Sequence, residues 1–212
     1  MCALNKQKKG FALVELIVVM GIMLMVSGLT IANFPAFRSQ IAVSIALHEL
    51  QLSLRQAQAY AIAVREFSPA FTAPICQPLV SPPARFPPYG VSITKNTSTY
   101  VLFADIACAV KTIPPYNKQI YNTGSVYGSE MVATKVMQGG AKVLSIDGCN
   151  GMSCIALDIV EVVYQRPSPS IIILGHSSVW ASYTWVDITI SSQNGAFTKV
   201  MRVRTSGQVS IQ

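Results

Sequence analysis

The chain has 212 residues, a formal net charge of +7, 51% hydrophobic residues and only 12% charged ones. A soluble domain ordinarily carries about twice that charged share, so the composition excludes a disordered chain, a coiled coil and an ordinary cytosolic globule. The length allows one domain, with an appendage, and a core of useful size.

The apolar excess is concentrated at the start. Residues Phe11–Ala32 read FALVELIVVMGIMLMVSGLTIA, 22 residues with a single charge, Glu15. As a helix this run extends about 33 Å, enough to cross a hydrocarbon core. Before it lies MCALNKQKKG, a hydrophilic decapeptide holding Lys6, Lys8 and Lys9. Lysines ahead of a first apolar segment keep that end in the cytoplasm, which predicts an exported remainder. They also account for three of the 16 basic residues, leaving 13 against nine acidic ones and a net +4 from Phe11 onward. No A-x-A-like site follows the apolar run, so it does not have the layout of a cleaved secretory signal. A plain single-pass anchor leaves Glu15 unexplained, because a carboxylate in a spanning helix costs about 2.5–3.5 kcal/mol at the membrane centre.

Lys9-Gly10-Phe11-Ala12-Leu13-Val14-Glu15-Leu16 resembles the processing site of type IV prepilins and pseudopilins: a short basic leader, Gly before the cut, Phe after it, and Glu shortly downstream. The resemblance implies cleavage after Gly10 by a prepilin peptidase on the cytoplasmic side and N-methylation of Phe11. It also implies pairing of Glu15 with the Phe11 ammonium of a neighbouring subunit. Joining these two groups neutralises two ions in a low dielectric, and removing either would strand the other. The implied partners are other pilin subunits, the peptidase/N-methyltransferase and an inner-membrane assembly platform. The implied location is the cytoplasmic membrane, then an extracytoplasmic filament.

Further along, Pro35 predicts a kink. Val43, Leu47, Leu50, Leu54, Ala57, Ala61 and Val64 recur at alternating spacings of 4 and 3, one helical face with Glu49, Gln56 and Arg65 off it. The alanines at its C-terminal end predict packing on a sheet rather than a coiled coil, and the helix ends before Pro69. Residues 69–88 contain seven prolines and read as an extended connector.

Strand-like runs follow: Tyr89–Thr94 and Thr99–Asp105 as a hairpin over Lys95-Asn96, then Lys142–Asp147, Val160–Gln165, Ser170–Leu174, Val186–Ser191, Phe197–Thr205 and Val209–Ile211. Gln193-Asn194-Gly195 and Ser206-Gly207 are hairpin turns, and Thr134–Gln138 is ambiguous. The expected class is α+β, with a leader at 1–10, a helix at 11–66 (membrane part 11–32), a connector at 67–88 and an antiparallel β domain at 89–212. This layout resembles a type IV pilin-like fold, and Leu50-Gln51-Leu52-Ser53-Leu54-Arg55-Gln56-Ala57-Gln58 is similar to the helix motif of the GspH/FimT-type minor pseudopilins. Pro88-Tyr89-Gly90-Val91, Tyr100–Asp105 and Val163–Pro167 resemble the ectodomains of that group.

With Cys2 in the leader, Cys76, Cys108, Cys149 and Cys154 remain, an even number with three connectivities. The short, glycine-containing run from Cys149 to Cys154 favours closure on itself, which pairs Cys76 with Cys108. Chain entropy assigns roughly 2 kcal/mol to the short loop and about 3–4 kcal/mol to the long one. A metal site is disfavoured, because there is no C-x-x-C and neither histidine lies near a cysteine. His48 falls on the helix and His176 in a loop, and no G-x-S-x-G context supports a triad, so neither enzyme activity nor a cofactor is expected.

The rival reading is a DNA-binding minor pilin of a DNA-uptake pilus. Pilins of the FimT kind resemble this chain and carry G-R-x-R near the C-terminus, where this sequence has Gly207-Gln208-Val209-Ser210 and lacks both arginines. Arg202 and Arg204 share a strand face by two-residue alternation and Lys199 falls on the other. Two arginines on one face can contact phosphates, although such pairs are more often simply solvated. Trp180, Tyr183 and Trp185 are base-stacking candidates that more often serve as packing residues.

Overall fold

The computed structural model describes residues 13–66, 87–105, 121, 130–165 and 171–212. It divides into two compact units, one ending at Arg38 and the other running from Ser39 to Gln212. Helix α1, Leu13–Ile62, belongs to both and keeps Pro35 inside it.

In the first unit the side chains of Leu13, Val14, Leu16, Ile17, Val18 and Met20 are exposed, as are those of Ile22, Met23, Leu24, Phe34 and Phe37. Among the described residues no single helix is long and apolar enough to cross a membrane. The pair Leu13–Leu29 and Phe34–Ile62, separated by a bend, passes that test together. The bend falls in the turn before Pro35, which has no N–H to give to the carbonyl four residues earlier and whose ring crowds it.

In the second unit the part of α1 from Ser39 onward buries Val43, Ala46, Leu47, Leu50, Leu54, Ala57 and Ala61. That is the predicted stripe with Ala46 added, and with Val64 removed. Val64 is 42% exposed and lies beyond the helix at φ 56°. The helix closes there with Ala63 N–H on Ala59 O and Arg65 N–H on Tyr60 O. The second bond is a Schellman closure, which requires a left-handed residue where Val64 stands.

Among the described residues the strands form two antiparallel sheets where the sequence predicts a single β-sheet domain. Alternation assigns faces but not partners, so a second sheet is invisible to it. The first sheet contains β1 (Tyr89–Thr94), β2 (Thr99–Ala104), β3 (Met131–Val136), β6 (Ile159–Tyr164), β7 (Ile171–His176) and β8 (Trp180–Tyr183), in the order β3-β2-β1-β6-β7-β8. The second contains β4 (Lys142–Asn150), β5 (Ser153–Ala156), β9 (Trp185–Ser191), β10 (Thr198–Arg204) and β11 (Val209–Ile211), in the order β11-β10-β9-β4-β5. The β1–β2 turn joins them, with Asn96 N–H on Val143 O and Val143 N–H on Thr97 O. Asn96 tolerates φ 61° there.

The core lies between α1 and both sheets. Val91, Ile93, Leu102, Val160, Val162 and Ile173 come from the first sheet, and Val143, Ile146, Val186, Ile188, Met201 and Val203 from the second. Ser53 on α1 and the Tyr100 hydroxyl on β2 share a buried hydrogen bond of 3.0 Å, which fixes the rotation of the helix over the sheet. On the opposite face of β1 the Phe103 ring covers Gly90, where an added Cβ would lie 2.7 Å from Phe103 Cζ. In the β9–β10 turn Gly195 takes φ 72°, the left-handed position that Asn-Gly supplies.

Candidate functional site

Glu15 stands in the first turn of α1, exposed among exposed Leu13, Val14, Leu16, Ile17 and Val18. Among the described residues it has no ion-pair partner. Gly10 and Phe11, the predicted cleavage and methylation positions, lie outside the described residues, as do Cys76 and Cys108. As the single acid in the exposed apolar stretch from Leu13 to Ile31 of α1, Glu15 has one strong electrostatic option, a cation brought from outside this part of the chain.

Cys149 on β4 and Cys154 on β5 are joined by a disulfide. They are directly opposed in the strand pair, and the connecting turn takes Gly151 at φ 63°. This hairpin was only half legible in the sequence. The four residues of β5 are all exposed, so they carry no alternation, and pairing along one edge forms the strand.

The three basic residues near the C-terminus diverge. Arg202 is bound at both ends of its fork by Asp187, Nε to Oδ1 and Nη2 to Oδ2 at 2.7 Å each. Its guanidinium also lies 4.0 Å above the centre of the Trp185 ring. Lys199, on the other face as predicted, donates to Ser44 Oγ of α1 at 3.0 Å. Arg204 is exposed. Tyr183 is buried, and Trp180 stacks at 5.1 Å on His176. His176 is therefore at the end of β7 and not in a loop, while His48 is exposed on α1. Among the described residues no group of three or more His, Cys, Asp or Glu could hold a metal ion.

Glu161, which residue spacing does not single out, is a strongly perturbed carboxylate. It lies on β6 beside Ser92 of β1 and is 1% exposed. Its oxygens accept the Tyr121 backbone N–H at 2.9 and 2.8 Å and the Ser92 hydroxyl at 3.3 Å. Burial pushes its pKa up to about 8; the Tyr121 and Ser92 hydrogen bonds pull it down, and nearby Glu130 and Asp105 raise it further. The signal was present in Ile159-Val160-Glu161-Val162-Val163, a lone acid inside a β-branched strand.

Residues 5–31 match the family model described as the prokaryotic N-terminal methylation motif. No curated protein and no solved structure matches the chain. The chain thus carries the type IV pilin signal at residues 5–31, ahead of and into α1, and an α+β fold after it. That signal supports a pilin-like or pseudopilin structural subunit, one that is processed by a prepilin peptidase and assembles with other pilins.

Proposed function

We propose that the protein is a minor pilin-like subunit of a type IV pilus or of a type II secretion pseudopilus, cut after Gly10 and N-methylated at Phe11. The observation that carries this is the methylation motif at residues 5–31, which covers the exposed apolar start of α1 and its single carboxylate, Glu15. Before assembly the segment 11–32 anchors the subunit in the cytoplasmic membrane. In the filament the same apolar surface packs against neighbouring helices, and Glu15 receives the methylated Phe11 ammonium of the next subunit. The unit from Ser39 onward is presented outward, with residues 89–212 as the ectodomain and 67–88 as its connector. A second disulfide, Cys76–Cys108, ties that connector down.

The charge pair explains the placement of an acid among apolar side chains. Alone, Glu15 opposes burial of the helix; paired, it fixes one axial register, because any other offset leaves both charges uncompensated. Specificity of this kind is the best-attested use of a buried polar group in helix packing.

Intact-mass and N-terminal peptide spectrometry of protein from cells with a matching prepilin peptidase tests the reading. The mature chain should begin at Phe11 and carry one added methyl group. A chain retaining Met1 through Gly10 in the presence of active peptidase overturns it.

A further inference from the structure

Within the second unit, a cleft of about 530 Å³ opens between the last turns of α1 and the β10–β11 turn. This lies within the range of small-ligand clefts, about 300–1,000 Å³. Arg55, Gln58, Ala59 and Ile62 form one stripe of the helix along it, by their spacing of three and four. Tyr164, at the end of β6, and Val209 line the facing side.

Three of these side chains are donors that the described residues leave unused. Among the described residues Arg55, Gln58 and the Tyr164 hydroxyl have no hydrogen-bond or ion-pair partner. Arg55 is exposed, but Tyr164 is only 6% exposed, and a buried hydroxyl without a partner is uncommon in a folded protein. Its hydroxyl is not among the fully buried side-chain oxygens left without a partner, and the residue lines the cleft. Burial holds its phenol well above the ordinary tyrosine range, which keeps it a neutral donor throughout the physiological range.

The charge and the walls select the ligand. The lining has one cation and no acid, which balances a monoanion and not a dianion. A guanidinium presents a planar fork that matches the two oxygens of a carboxylate. Ala59, Ile62 and Val209 offer an apolar wall beside it. We propose that this cleft binds an aliphatic carboxylate, held by Arg55, with Gln58 and Tyr164 donating to its oxygens and the alkyl group seated on Ala59, Ile62 and Val209. A chain-terminal carboxylate of a peptide and a free small acid share this chemistry.

The test uses the full chain in detergent micelles, with tyrosine rings labelled by carbon-13 and the Tyr164 signal assigned by its loss in Tyr164→Phe. N-acetyl-leucine should shift that signal saturably with a Kd of about millimolar order. N-acetyl-leucinamide and inorganic phosphate should bind at least about ten-fold more weakly, since the amide lacks the charge and phosphate lacks the alkyl group that Ala59, Ile62 and Val209 would seat. Arg55→Gln, an exposed substitution, should weaken N-acetyl-leucine by about ten-fold or more while leaving the Tyr164 signal and the thermal midpoint in place. Acetyl-Ala-Val-Leu with a free carboxyl end should bind tighter than N-acetyl-leucine if the natural source is a peptide terminus, and equally if it is a small acid. Absence of saturable binding, equal binding of the amide or of phosphate, or unchanged binding in Arg55→Gln overturns the proposal.

Discussion

The backbone N–H of Tyr121 bonds both carboxylate oxygens of Glu161, 2.9 Å from one and 2.8 Å from the other. The Tyr121 ring packs at 5.5 Å against Phe103, the side chain that covers Gly90 on the same face of the first sheet. One residue thus closes a buried acid and an aromatic layer together.

Glu161 makes stability depend on pH. Its folded pKa of about 8 lies above the ordinary glutamate value of 4.5, so between those values the folded state binds a proton that the unfolded chain releases. Stability from this group is fully present below about pH 4.5 and declines as pH rises toward 8. Glu161→Gln keeps an acceptor for Tyr121 and removes the titration. Urea unfolding of the full chain in micelles at pH 5 and pH 8.5 should show the parent losing several kcal/mol more than the variant across that interval. Parallel losses in both proteins would contradict this assignment.

Val64 is a β-branched residue held at φ 56° by the helix closure. A non-glycine residue in that region costs about 1–2 kcal/mol, whereas glycine adopts it freely at some cost in unfolded-chain entropy. Val64→Gly should therefore raise stability by up to about 1 kcal/mol, although it removes an apolar side chain. A lower unfolding midpoint would show that Val64 contributes packing that its exposure does not reveal.

Glu15 separates assembly from folding. It is exposed and lies outside the unit that holds the core, so Glu15→Ala should shift the unfolding free energy of that unit by less than about 0.5 kcal/mol. With Glu15 paired as proposed, cross-linked multimers of the processed protein in membranes should fall about ten-fold or more, because the substitution would leave the partner ammonium buried and uncompensated, a cost of about 3–5 kcal/mol. Multimers at parental levels would remove Glu15 from the assembly mechanism.

Arg202 and Asp187 form a two-bond pair, with side chains 23% and 20% exposed, beneath which lies Trp185. Arg202→Ala should lower stability measurably, since it removes the ring contact and leaves Asp187 unpaired opposite Asp147. Arg202→Lys should recover part of the charge but not the fork. Chemical unfolding of the three proteins orders them parent, Lys, Ala; equal stability of all three would reduce the pair to surface decoration.

Much of this architecture can be read from residue spacing. Val43 through Ala61 mark the buried helix stripe because each turn of three or four residues returns to the same neighbour, and β1 begins after Pro88 and ends at Lys95-Asn96 because those residues interrupt pairing. What spacing omits is long-range partnership. Nothing local tells β4 to pair with β9, so the strands β4, β9, β10 and β11 are legible but their grouping into a second sheet is not, and β8 is too short to show a period. Glu161 was missed for a different reason: its environment is assembled from Ser92, Tyr121, Glu130 and Asp105, residues scattered along the chain. Gly10, Phe11 and the Cys76–Cys108 pairing lie outside the described residues, and only the methylation motif bears on the first two.

The cystine spans only five positions, from buried Cys149 on β4 to Cys154 on β5, whose residues are all exposed. A loop that short removes little freedom from the unfolded chain, roughly 2 kcal/mol, and the sheets already bring its two ends face to face. The sulfurs are thus better placed to keep a record than to bear weight. A chain that has met an oxidant carries a locked hairpin, and one that has not carries two adjacent thiols on nearly the same fold. Counting those thiols in intact protein would reveal which side of a redox boundary each molecule has visited.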